Sequence, residues 1–233
     1  MSTGDADAVA APFARTLPFG RVVGVALPAD DDDAGLEALA ARLLPEERAH
    51  ARALAPARRA TWLGGRAALR AALGDLGLDV GPILATPRGA PALPPGVLGS
   101  IAHKRTLAVA LAARAPPGAP ADVGLGIDVE LARAPRVDIS GRVLTLAERR
   151  RVTALGADAR ARAVLAAFAT KEAIYKALDP WLHRAVSFQE VELDGLVATF
   201  SPRAGEPSFD IELHEEPLAG HVLVTARVRR RAA

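Results

Sequence analysis

Glu172 and Lys176 stand four residues apart in Phe168-Ala169-Thr170-Lys171-Glu172-Ala173-Ile174-Tyr175-Lys176-Ala177. On a helix that spacing sets the carboxylate and the ammonium one above the other on one side. Taken alone the pair needs no function, since an exposed Glu–Lys pair stabilises a helix by a few tenths of a kcal/mol, roughly 0.2–0.5. Two other stretches ask for more. Asp128 and Glu130 end an apolar run and are two apart, so on a strand both project from one face. Side by side they repel unless a cation or proton intervenes. Glu172 could add a third carboxylate, and an oxygen-only set suits Mg²⁺, which binds through a few carboxylates plus substrate phosphates. His103, in Gly99-Ser100-Ile101-Ala102-His103, and an arginine-bearing segment around Arg52, Arg58, Arg59, Arg66 and Arg70 could then meet phosphate oxygens, which guanidinium forks match. Lys171 and Lys176 could neutralise charge on a leaving phosphate oxygen. The chemistry indicated is phosphoryl or phosphodiester transfer on a small, multiply phosphorylated substrate.

Elements must position these groups. Apolar residues at helical spacing run from near Asp158 through Ala177 and predict a helix carrying Glu172 and Lys176. Pro45 with Glu46 and Glu47 opens an earlier helix, Pro56 interrupts it, and a second runs from about Ala57 to Leu76. Thr145 with Glu148 forms a capping box. Strands are predicted at Arg21 to Leu27, Val97 to Ala102, Thr106 to Ala112 and Val123 to Leu131, with His103-Lys104-Arg105 as a polar turn. Four more follow Pro180, at Val186 to Leu193, Leu196 to Phe200, Ser208 to Leu213 and His221 to Val228. The acidic run Asp30 to Asp33 reads as a solvated loop. Gly124 and Gly126 lack the third glycine and the directly following helix of a dinucleotide-binding fingerprint, so that reading is rejected. Each half of the chain places a helix before a group of strands.

Composition narrows the class. Among 233 residues there is no cysteine, which excludes disulfides, thiolate catalysis and Cys-ligated zinc. Half the residues are hydrophobic and only 4% aromatic, so the core is built of Ala, Leu and Val. A net charge of +2 suggests an anionic ligand or acidic partner rather than a nucleic-acid coat. The acidic start and the lack of long apolar runs give a cytoplasmic protein with no membrane partner as the expectation.

In combination these stretches resemble the 4'-phosphopantetheinyl transferase superfamily, of the surfactin-synthetase and enterobactin-synthetase component D type. The resemblance rests on Arg58-Arg59 through Gly65-Arg66, Arg88-Gly89-Ala90-Pro91, Gly99 to His103, Gly126-Ile127-Asp128-Val129-Glu130 and Phe168 to Ala177, with Phe188 to Val191 after them. It implies an α+β fold: a pseudo-dimer of two similar α+β halves, each with helices packed on a small, mostly antiparallel sheet. The halves are expected at 18–118 and 119–233, after a flexible segment at 1–17. It implies Mg²⁺, with Mn²⁺ as a substitute, held by Asp128, Glu130 and Glu172, and coenzyme A as co-substrate held by Arg58 (or Arg59), Arg66, Arg88, His103 and Lys171. Glu172 becomes the base toward a serine of an apo acyl or peptidyl carrier protein, Lys176 the group at the leaving phosphate, and Asp128 a third catalytic residue. The other product is adenosine 3',5'-bisphosphate, and a monomer is implied. Two departures stand out. Ala102 replaces the family's usual Ser or Thr, removing a phosphate hydrogen bond worth about 1–3 kcal/mol, and Arg88 stands in for a lysine near Ala85. A non-catalytic module binding coenzyme A or a carrier protein is the alternative. An arginine-rich nucleic-acid binder is a third, which leaves the acidic cluster without a use.

Overall fold

The computed structural model describes residues 12–118, 120–133 and 137–232. The chain begins with β1 (Phe13–Leu17) and β2 (Gly20–Ala26), then runs through α1 (Asp33–Ala40), α2 (Pro45–Ala53) and α3 (Pro56–Asp75) before β3 (Val97–Lys104) and β4 (Leu107–Arg114). A second set follows: β5 (Val123–Leu131), α4 (Ser140–Val143), α5 (Leu146–Thr153), α6 (Ala157–Leu182), β6 (Val191–Asp194), β7 (Val197–Phe200), β8 (Phe209–Leu218) and β9 (His221–Arg230).

The two sets share a topology. The first sheet runs β1-β2-β4-β3 and the second β5-β9-β8, all antiparallel. In each, the strand before the helices pairs with the last strand of its half, which pairs with the penultimate one. A long helix covers one face of each sheet: α3 lies on β2, β3 and β4, and α6 on β5 and β9. The opposite faces meet. Val22, Leu107, Val109 and Leu111 of the first sheet pack on Leu125, Ile127, Val129 and Leu223 of the second. Strand β3 lies against β5 there, and Ser100 Oγ accepts a hydrogen bond from Ile127 N at 3.2 Å. The fold is thus α+β, with two similarly wound halves sharing a core. No helix among the described residues is long and apolar enough to cross a membrane.

Three expectations change. The flexible segment at 1–17 extends too far: residues 1–11 lie outside the described residues, but Phe13–Leu17 alternates in burial and pairs with β2 as an edge strand. The acidic run is not all loop, because Asp32 caps α1 by accepting from Gly35 N at 2.9 Å and Asp33 begins the helix. His103 and Lys104 are strand residues rather than turn residues, since β3 continues until Lys104 pairs with Leu107 across a two-residue turn.

Candidate active site

Gly124 and Gly126 set the position of the site. A Cβ on Gly124 would lie 2.1 Å from Ala177 O, and one on Gly126 only 1.8 Å from Ala173 O. Helix α6 therefore rests backbone to backbone on β5, which no larger residue would permit. The glycines serve close approach rather than nucleotide binding. With the helix this close, Lys176 donates to Asp128 Oδ1 at 2.8 Å and to Ile127 O at 2.9 Å. Glu172, one turn earlier, is half-buried. Burial, and then the nearby Asp128 carboxylate, push its carboxyl above the usual range. Glu130 is raised chiefly by burial, although Lys104 Nζ lies 2.6 Å from its Oε1.

The phosphate-binding candidates converge from the other half. A cleft of about 710 Å³ is lined by Arg58, Arg66, Arg88, His103 and Lys176, with Trp62 and Tyr175 among its walls. A smaller cleft of about 260 Å³ holds Glu172, Arg142 and Phe188, and shares Arg88, Tyr175 and Asp179 with the first. The first cleft spans both halves: α3, β3 and the 85–91 loop on one side, α6 on the other. The loop is tightened by Thr86 N donating to Ala90 O at 2.8 Å and Gly89 N to Thr86 O at 2.9 Å, with Gly89 at φ +89°. That turn aims Arg88 across the cleft, where it bonds Asp179 Oδ1 at 2.7 Å and Arg184 O at 3.1 Å. Burial, Lys176 and Lys104 hold the His103 imidazole below its ordinary value, so it is a neutral donor near pH 7. Burial and Glu172 keep the Tyr175 phenol far above its ordinary value, so it stays protonated.

The arginines divide by partner. Arg58 is exposed at the cleft edge, whereas Arg59 turns back to Arg52 O and Leu54 O at the end of α2. Arg70 bonds Glu47 at 2.7 Å and the carbonyls of Val80 and Gly81. Arg66 lines the cleft while its Nε and Nη2 reach Ile83 O and Leu84 O, and its guanidinium stacks 4.7 Å above Trp62. This face is neither a solvated stripe nor a uniform phosphate surface.

Two expectations about side chains are corrected. Lys171, expected beside the phosphates, is fully buried and bonds Glu148 Oε2 at 2.7 Å, Phe188 O at 2.9 Å and Val143 O at 3.0 Å. One residue is about 100° of helix turn, which carries Lys171 away from Glu172 and onto α5. Ala102, expected to leave a phosphate unpaired, faces the core between the sheets at 4% exposure, away from the cleft. Lys104 was missed; the turn assignment hid it. Once β3 is continued to residue 104, alternation puts Lys104 on the face of Ser100 and Ala102 that is turned toward β5.

Among the described residues, no three His, Asp or Glu side chains are grouped to hold an ion, so the expected set of Asp128, Glu130 and Glu172 is not assembled, and Glu130 is turned to Lys104 instead. The donor chemistry nevertheless fits a hard cation. Asp128 is 6% exposed and its Oδ2 is buried with no hydrogen-bond partner, an arrangement that is costly without a cation or proton donor.

Two family models match successive parts of the chain. Residues 46–113 match the 4'-phosphopantetheinyl transferase N-terminal domain family. Residues 124–225 match the 4'-phosphopantetheinyl transferase superfamily. The chain is 37% identical over 170 residues to the 4'-phosphopantetheinyl transferase Svp of Streptomyces mobaraensis, covering 69% of this chain and 65% of that protein. Among solved structures it is similar to a holo-(acyl-carrier-protein) synthase from Bacillus anthracis in complex with CoA (3',5'-ADP). That match has TM-score 0.39 and 23% identity, over 47% of this chain and 96% of the other. A holo-[acyl-carrier-protein] synthase of Thermotoga maritima matches with TM-score 0.36 and 26% identity, over 46% of this chain and 64% of the other.

Proposed function

The chain belongs to the 4'-phosphopantetheinyl transferase superfamily, and from that premise we propose that it transfers the 4'-phosphopantetheine arm of coenzyme A to a serine of an apo carrier protein. The single observation that carries the reading is the junction of the two clefts. Lys176, bonded to Asp128, and Glu172, one turn away, stand beside a cavity lined by Arg58, Arg66, Arg88 and His103.

In this reading the arginines and His103 hold the 3'-phosphate and pyrophosphate of coenzyme A, and Lys171 has no part in it. The carrier serine oxygen forms a bond to the phosphorus bearing pantetheine. The bond from that phosphorus to the bridging oxygen breaks. Glu172 accepts the serine proton, directly or through a water, and its raised carboxyl makes it a stronger base than a free carboxylate. Lys176 balances or protonates the departing oxygen, and adenosine 3',5'-bisphosphate leaves. Asp128 and Glu172, with Glu130 drawn in from its contact with Lys104, would hold Mg²⁺ or Mn²⁺, which would supply positive charge to the pyrophosphate oxygens. The halves at 18–118 and 119–233 divide the work, the first for coenzyme A phosphates and the second for the acid–base groups. The partners are acyl or peptidyl carrier domains of polyketide, nonribosomal peptide or fatty-acid synthases, met by a cytoplasmic monomer.

Release of adenosine 3',5'-bisphosphate, followed by chromatography with an apo carrier and coenzyme A, tests the reading. Product formation that needs both the carrier and a divalent ion supports it. Saturable coenzyme A binding with no product on several carriers would replace it with a binding module.

A further inference from the structure

Lys104 lies on β3 beside His103, with its Nζ 2.6 Å from Glu130 Oε1. Glu130 is 8% exposed, while about a third of the Lys104 side chain is exposed (32%). The two β5 carboxylates are therefore unequal. Asp128 has one oxygen on Lys176 and one buried oxygen without a partner. Glu130 likewise has an ammonium on one oxygen, Lys104, but no buried oxygen left without a partner to offer an ion. An ammonium and a divalent ion at the same carboxylate repel each other and compete for its oxygens. The long, partly exposed lysine stem lets Lys104 swing away, but doing so gives up a short charge-assisted contact.

We propose that Lys104 is a resident competitor for Glu130, so that a divalent ion in this chain is held first through Asp128 and Glu172 and gains Glu130 only when Lys104 leaves. The inference rests on the Asp128 cluster being the divalent-ion site. It makes Lys104 a tuning residue for metal affinity, acting through Glu130 and not on the substrate.

The test is Mn²⁺ titration of the full chain, read by the free-ion EPR signal without coenzyme A or carrier, in wild type, K104M, E130Q, K104M/E130Q and D128N. K104M should bind Mn²⁺ about tenfold or more tightly than wild type, the scale on which groups around a metal's ligands alter affinity. Adding E130Q should erase that gain, while E130Q alone should change wild-type affinity little. A gain that survives E130Q, or K104M binding no tighter than wild type, overturns the competition. If K104M fails to fold, E130Q decides: a loss as large as that of D128N means Glu130 already ligates with Lys104 in place, and the proposal falls. D128N binding like wild type would instead refute the underlying site assignment.

Discussion

Arg58 and Arg59 are adjacent, and their side chains do different work. Arg58 is exposed at the cleft, while Arg59 closes the end of α2 through Arg52 O and Leu54 O. A charged hydrogen bond to phosphate contributes about 1.5–3 kcal/mol. Arg58→Ala should therefore raise the KM for coenzyme A roughly tenfold or more at an unchanged melting temperature, and Arg59→Ala should do the reverse. Steady-state kinetics beside thermal unfolding of both variants checks this, and equal KM effects would contradict the division. Glu172 offers a second separation of chemistry from stability. Its carboxyl is raised in the fold by burial and Asp128. A raised folded pKa stabilises below the unfolded value, about 4.3, and that stabilisation is lost as pH rises through the folded pKa. Above the folded pKa the ionised Glu172 is thus a cost, and there Glu172→Gln should abolish transfer while unfolding at or above the wild-type temperature. A large fall in melting temperature together with lost transfer would mean that Gln damages the fold.

Helix α6 separates its functions by face. One side rests on β5 through Gly124 and Gly126, and the next side round carries Lys171 into a buried pair with Glu148, which also accepts from Thr145 N and Leu193 N. Breaking a buried pair leaves an uncompensated charge, so Lys171→Met should cost about 3–5 kcal/mol in urea unfolding, with no specific change in coenzyme A affinity of the folded fraction. A Cβ on Gly126 has no room, and Gly126→Ala should push α6 off β5, costing about 1–3 kcal/mol or more. Transfer should fall further than that loss of stability explains, because Lys176 leaves Asp128. Gly141, with nothing within 4 Å of a built Cβ, is the control, and its alanine variant should retain activity. The sequence made much of this visible: α2, α3, α6 and the Thr145–Glu148 box follow from periodicity and capping chemistry, and the order of the motifs pointed to Asp128, Glu172 and Lys176. The assignment of Lys171 failed because residue type was read before helical phase. The short edge strand β1 and the role of Lys104 depend on which strand becomes a neighbour, which no local pattern encodes.

The two halves meet through the core between their sheets. Ile127 is fully buried there, with Val129 and Leu223 beside Leu107, Val109 and Leu111. That sheet-to-sheet contact, with Ser100 bonded to Ile127 N, holds β3 against β5 and so holds His103 and Lys104 opposite Asp128 and Glu130. The site is therefore a property of the junction and not of either half. Ile127→Ala should destabilise the whole chain by about 2–5 kcal/mol in one unfolding transition; two separated transitions would show halves that stand independently. The repeated order of pre-helix, last and penultimate strand is only hinted at by the helix-then-strands echo, because the halves share pairing geometry rather than sequence.

Transfer itself is tested most directly by the intact mass of an apo carrier protein after incubation with this chain, coenzyme A and Mg²⁺, with EDTA in a parallel sample. The predicted result is a mass gain of one phosphopantetheine that disappears with EDTA and with Glu172→Gln. An unchanged carrier mass across several carrier types, while coenzyme A still binds, would contradict it.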